Sequence, residues 1–166
     1  MPDGFPDHFD ALAIPLIVVA SDLYSRREVV ITSGSLKRAL GASIALPTII
    51  RPVEVDGHVL IDGGATNPLP FDLLRGRADV IVAVEISGPP SADKRDVPSA
   101  IECLYETVMV MTHSIISEKL KHGAPDLLVQ PKVGSFRALD FFRASAILRV
   151  ADPVKDEVKE RLSKLL

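Results

Sequence analysis

The sequence has no tryptophan, a single cysteine, few aromatic residues and no long apolar run, and each shortage removes a class of function. One cysteine, Cys103, can form neither an internal disulfide nor a Cys-cluster metal site. The fold therefore does not depend on oxidising conditions, and a cytoplasmic location is the expectation. An aromatic content of 5% leaves little stacking surface for bases. Nineteen Lys and Arg against 22 Asp and Glu give a net charge of −3, so no basic footprint for nucleic acid exists. Arg26-Arg27 and Lys37-Arg38 read as solvated faces. No apolar run approaches the ~18 residues that span a bilayer, and "MPDGFPDHFDA" lacks the basic and apolar regions of a signal peptide.

What is present is globular in character. Hydrophobic residues make up 47% of 166 positions, enough for one domain with a real core. The run "AIPLIVVAS" (13–21) reads as a strand covered on both faces, and "REVVITSG" (27–34) as a second strand. "SLKRALGASIALP" (35–47) reads as a helix capped by Ser35 and stopped before Pro47. Asp56-Gly57, between "IIRPVEV" and "HVLI", predicts a hairpin whose second arm delivers Asp62. "PLPFDLLRGR" makes a short helix at most. "ADVIVAVEIS" (78–87) fits a central parallel strand, 88–99 a proline-bounded polar loop, and "DLLVQP" (126–131) a last short strand. Apolar residues from Ile101 to Ile116 recur at helical spacing in a helix of about twenty residues that ends near Gly123. "LDFFRASAILRVA" and "DPVKDEVKERLSKLL" read as helices, the second with Asp152 as N-cap and Pro153 at its first position. Strands joined through helices imply α/β with a largely parallel sheet flanked by helices.

The segment "LIDGGATNPLP" (60–70) carries the main candidate. Asp62 stands at the end of a strand, where ligands bind in open α/β sheets. Gly63 and Gly64 permit positive φ and close backbone approach. Two readings stay open on spacing alone: a turn that closes the strand, and a carboxylate held for chemistry.

The surrounding residues resemble the carboxyl-terminal half of the patatin-like phospholipase domain. The resemblance runs in order through "IPLIVVASDL", "GSLKRALGASIALPTIIRPVEVDGHVLIDGGATNPLP" and "ADVIVAVEIS", then more weakly through "DLLVQP" and "DFFRASAI". It covers roughly 9–150; its specific part is A-S-x-A-x-P, P-V, D-G-G and N-P-L-P at these spacings. It implies a three-layer α/β/α fold, incomplete here, with residues 1–166 as a single carboxyl-terminal portion of the domain. It also implies that Asp62 pairs with a serine in a catalytic dyad, that Gly63, Gly64 and Asn67 shape its loop, and that lipid or acyl esters are hydrolysed without metal or cofactor. The family's G-x-S-x-G nucleophile belongs upstream of "IPLIVVASDL", where this chain has about a dozen residues. The alternative is a non-enzymatic binding or assembly module derived from that fold.

Other candidates are weaker. "GASIA" (41–45) places Ser43 in a G-x-S-x-[GA] pattern, but no strand leads into Gly41 as a nucleophile elbow requires. Ser33 and Ser35 fit less well still. His8, His58, His113 and His122 show no metal-ligand pairing, and Glu118 with His122 reads as a solvated i,i+4 pair. Asp22 reads as the residue closing the turn after the first strand. Met109 and Met111 read as core rather than lipid-facing. Peripheral membrane contact is expected from mobile loops such as 88–99. An incomplete sheet implies an exposed edge or apolar patch, and hence a homo-oligomer or a covering partner.

Overall fold

Asp56 and Gly57 both adopt positive φ, at 50° and 80°, which matches the right-handed twist of a two-residue hairpin. They join β3 (Val53–Val55) to β4 (His58–Asp62), with Val55 opposite His58. The computed structural model describes residues 4–47, 49–87, 97–133 and 143–166. The chain divides into two compact units, one ending at Pro68 and the other beginning at Leu69.

In the first unit, β1 (Val18–Asp22) pairs with β2 (Glu28–Ile31) and with β4, giving the strand order β2-β1-β4-β3. Every pairing in this sheet is antiparallel, which corrects the expected largely parallel sheet. The connections decide this, because five residues between β1 and β2 and two between β3 and β4 can only close hairpins. β1 is buried at all five positions, as its apolar run implies, but begins only at Val18. Pro15 lies inside the expected strand and has no N–H to give a ladder.

α1 (Leu36–Ser43) lies against this sheet. Ser35 caps it by accepting the Arg38 N–H at 3.4 Å, and the helix stops before Pro47. Leu36, Ala39 and Ala42 form its buried stripe. They pack in two clusters, one with Phe9 and Val18, the other with Ala20 and Leu60. Full burial of a side chain such as Leu36 or Leu60 contributes about 2 kcal/mol.

In the second unit, β5 (Val82–Val84) pairs in parallel with β6 (Leu127–Val129), the two joined through α2 (Ala100–Lys121). Among the described residues β5 pairs with β6 alone, so its reading as a central strand is not realised there. One face of the pair, with Ala83, Leu127 and Val129, is buried, while Val84 and Ile86 are exposed on the other. The core gathers Leu69, Phe71, Ile81, Ala83 and Ile116. Phe71 lies in the single short 3-10 helix that "PLPFDLLRGR" was expected to allow at most. A capping box between Ser99 and Glu102 starts α2, yet only Ile116 of this helix is buried. Of the expected apolar stripe, Ile116 is buried and Tyr105, Val108, Met109, Thr112 and Ile115 are half-buried, while Ile101 and Leu104 are exposed; Met111, also read as core, is exposed.

α3 (Ala144–Ala151) and α4 (Val154–Leu162) close the chain. Asp152 is helical, φ −55° and ψ −39°, and ends α3, while Pro153 precedes α4. The expected Asp152 N-cap fails because an N-cap needs an extended backbone. Residues 88–96 of the expected loop, and residues 139–142 of the expected helix "LDFFRASAILRVA" that contains α3, lie outside the described residues.

Candidate active site

Asp62 ends β4 opposite Ala20 of β1, and its N–H donates to the Ala45 carbonyl at 3.1 Å. The A-S-x-A-x-P segment is thus tied directly to the strand that presents the acid. One carboxylate oxygen, Oδ1, accepts the Gly64 N–H at 2.7 Å. The other has no hydrogen-bond partner among the described residues. Burial raises the Asp62 carboxyl above the usual carboxylate range, and the Gly64 N–H opposes that rise.

The two glycines have separate steric roles. Gly63 is buried, and a Cβ there would overlap the Val19 carbonyl of β1. A Cβ at Gly64 would sit 2.9 Å from Asp62 Oδ1. Positive φ, which the sequence allowed at both, occurs at neither; close approach is what requires glycine. Asn67 is buried, donates its backbone N–H to the Gly63 carbonyl at 2.9 Å and its side-chain amide to Glu28 of β2.

Ser21 is the neighbour that sequence reading missed. Buried within β1, it donates its hydroxyl to the Asp62 carbonyl at 2.9 Å and lies 2.7 Å from the Thr66 hydroxyl. It therefore braces the loop through the main chain, and a strand serine carries no sequence mark of that task. Glu85, buried at the end of β5, was also missed; it accepts the Ser87 N–H at 2.6 Å and the Gln130 amide at 3.2 Å.

The remaining candidates fall apart from Asp62. Ser43 is the last residue of α1, in a helix rather than on a strand-to-helix turn. Among the described residues no serine hydroxyl bonds the Asp62 carboxylate. Ser35 is the α1 cap. Asp22 closes the turn as expected, accepting the Tyr24 and Ser25 N–H groups at 2.9 Å each. Its second oxygen lies 2.5 Å from Nδ1 of the exposed His58. The Ser25 N–H, the His58 bond and the Tyr24 N–H together hold the Asp22 carboxyl at about 2. Glu118 and His122 form a solvated pair at 3.2 Å. A cleft of about 270 Å³ opens between β2, the start of α1 and the β3–β4 turn; it is lined by Arg38 and His58 among others, and not by Asp62.

Residues 3–75, which contain this acid and both glycines, match the family model of the patatin-like phospholipases. Residues 3–75 thus carry part of a patatin-like phospholipase domain. An uncharacterized NTE family protein of Mycobacterium tuberculosis is 37% identical over 112 residues, 67% of this chain and 31% of that protein. Patatin-like phospholipase domain-containing protein 7 of Mus musculus is 27% identical over 164 residues, covering 84% of this chain and 12% of that protein. Neuropathy target esterase sws of Drosophila melanogaster is 32% identical over 95 residues, 55% of the chain and 7% of that protein. The chain thus spans 31% of the length of the mycobacterial relative and less of the two animal ones. No helix among the described residues is long and apolar enough to cross a membrane.

Proposed function

We propose that residues 1–166 are the carboxyl-terminal part of a patatin-like serine acyl hydrolase, with Asp62 as the acid of a Ser-Asp dyad and lipid or acyl esters as substrates. The observation that most supports this reading is the state of Asp62: half-buried, with one oxygen held by the Gly64 N–H and the other open to a partner. A serine hydroxyl bonded to that second oxygen would pass its proton to Asp62 as the serine oxygen bonds the ester carbonyl carbon. The bond to the alcohol then breaks, and the proton leaves Asp62 for the departing oxygen. Water repeats the sequence on the acyl-serine, releasing the carboxylic acid and restoring both groups. A carboxylate made more basic by burial is the better proton acceptor.

In this reading Gly63 and Gly64 fix the angle of the carboxylate, and Asn67 holds the loop to β2. The serine, on this reading, lies outside residues 1–166, in keeping with an Asp62 carboxylate that no serine hydroxyl bonds among the described residues. These residues alone are then inactive, and contact with a membrane surface follows from the substrate class. A second reading, a binding or assembly module built on the same fold, is supported by the exposed apolar side chains of α2. A fluorophosphonate probe tests the assignment: residues 1–166 should take up no label at any serine. Labelling of Ser43 would overturn it and place the nucleophile in the α1 segment.

A further inference from the structure

Asp62 is held by its main chain on both sides of Cα. Its N–H donates to the Ala45 carbonyl at 3.1 Å, and its carbonyl accepts the Ser21 hydroxyl at 2.9 Å. That carbonyl belongs to the planar peptide whose rotation is ψ of Asp62, here 133°. Pinning its oxygen to β1 therefore fixes ψ, and ψ decides whether Oδ1 can reach the N–H two residues on. Only the side-chain torsions are left, and the Gly64 N–H on Oδ1 at 2.7 Å settles those.

A hydroxyl has one proton, so the direction of each bond can be assigned. Ser21 Oγ lies 2.9 Å from the Asp62 carbonyl, 3.5 Å from the Gly63 carbonyl and 2.7 Å from the Thr66 hydroxyl. A carbonyl can only accept, and that of Gly63 already takes the Thr66 and Asn67 N–H groups. The Ser21 proton therefore goes to Asp62, and Thr66 donates to Ser21. Ser21 is 2% exposed, so water does not readily replace either bond. We propose that Ser21 and Thr66 are positioning residues for Asp62: a directed relay from Thr66 through Ser21 to the Asp62 carbonyl sets where the second carboxylate oxygen points. Asp62 begins the loop and Thr66 ends it, so one buried hydroxyl staples the loop across its own ends. For catalysis this role rests on the reading of Asp62 as the dyad acid, whose aim at the serine decides the rate.

NMR of isotopically labelled residues 1–166 tests this without any catalysis. In the parent the Gly64 amide proton, bonded to Oδ1, should shift as the Asp62 carboxyl titrates, a response assigned by its loss in Asp62→Asn. Ser21→Ala should remove most of that response and speed Gly64 amide exchange by at least about tenfold, the equivalent of one hydrogen bond. Thr66→Val keeps the bond from Ser21 to Asp62 and should give a smaller change of the same kind. The double variant should match Ser21→Ala alone, because Thr66 acts only through Ser21. Ser35→Ala loosens the same unit by removing the α1 cap, and should leave the Gly64 response intact. A response unchanged by Ser21→Ala, a double variant equal to the sum of the single ones, or an equal loss in Ser35→Ala would each overturn the proposal. These readings are independent of the role of Asp62 in hydrolysis, which only an activity assay on Asp62→Asn decides.

Discussion

Replacing Gly63 by alanine should unfold the first unit far more readily than any comparable change nearby. The added Cβ would lie 2.8 Å from the Val19 carbonyl carbon and closer still to its oxygen. That carbonyl belongs to a strand paired on both sides, with Val19 opposite Val30 and Ala20 opposite Asp62. It cannot swing away as a side chain would, so either β1 or the Asp62 loop must shift. The cost is placed at about 3 kcal/mol, the upper end of the range for forced overpacking, which is roughly a hundredfold in the folding equilibrium. Gly64→Ala meets only the Asp62 carboxylate, at 2.9 Å, which can rotate at the expense of one hydrogen bond, about 1 kcal/mol. Gly41→Ala supplies the opposite sign. Its Cβ would find Val53 Cγ2 at an ordinary 3.8 Å inside a helix, where alanine gains about 0.5–1 kcal/mol. Urea titration followed by circular dichroism reads all three as shifts of midpoint at constant slope. A Gly63→Ala unfolding free energy within about 0.5 kcal/mol of the parent would refute the close-approach argument.

Three further outcomes follow from the same contacts. Asp22 is held at about 2, so it stays ionised in the folded chain where the unfolded chain takes up a proton. The stability it contributes is complete above the ordinary value of 3.8 and is lost as pH falls toward 2; Asp22→Asn should flatten that part of an acid-unfolding curve. Asp62 has the opposite sign, because its carboxyl is raised by burial. Its ionisation costs stability as pH rises through the folded value, so Asp62→Asn should be neutral or stabilising to heat at pH 7. Ser99→Ala removes the α2 capping box and should lower the stability of the second unit by about 1 kcal/mol, read by thermal unfolding.

The parts of the fold legible in the sequence were those set by local chemistry. Asp56-Gly57 announced its hairpin because few residues accept positive φ, and Ser35 announced α1 because its hydroxyl meets the free N–H groups of the first turn. Strand direction was not legible in the apolar runs, since burial on both faces looks the same in parallel and antiparallel sheets. It was written instead in the five residues between β1 and β2, too few for a crossover. At the site, the place of Asp62 and the need for glycine after it could be read. Which steric demand each glycine meets could not, because Val19 lies more than forty residues away in sequence. The bracing by Ser21 was hidden for the same reason. Ile101, Leu104 and Met111 of α2 were taken for core because helical spacing reports that a side chain is apolar, and not whether anything covers it.

The role of Asp62 as the dyad acid is the central claim, and loss of ester hydrolysis on Asp62→Asn tests it most directly. A chimera would place residues 1–166 behind the portion of the Mycobacterium tuberculosis relative that precedes the matched segment. The amide oxygen of asparagine can still accept the Gly64 N–H, so the loop is kept while the proton acceptor is removed. Hydrolysis of a short-chain p-nitrophenyl ester should then fall by about 10²–10⁴-fold in kcat with little change in KM. A variant that retains kcat within a factor of about three, well short of the loss that general-base removal produces, would contradict the account.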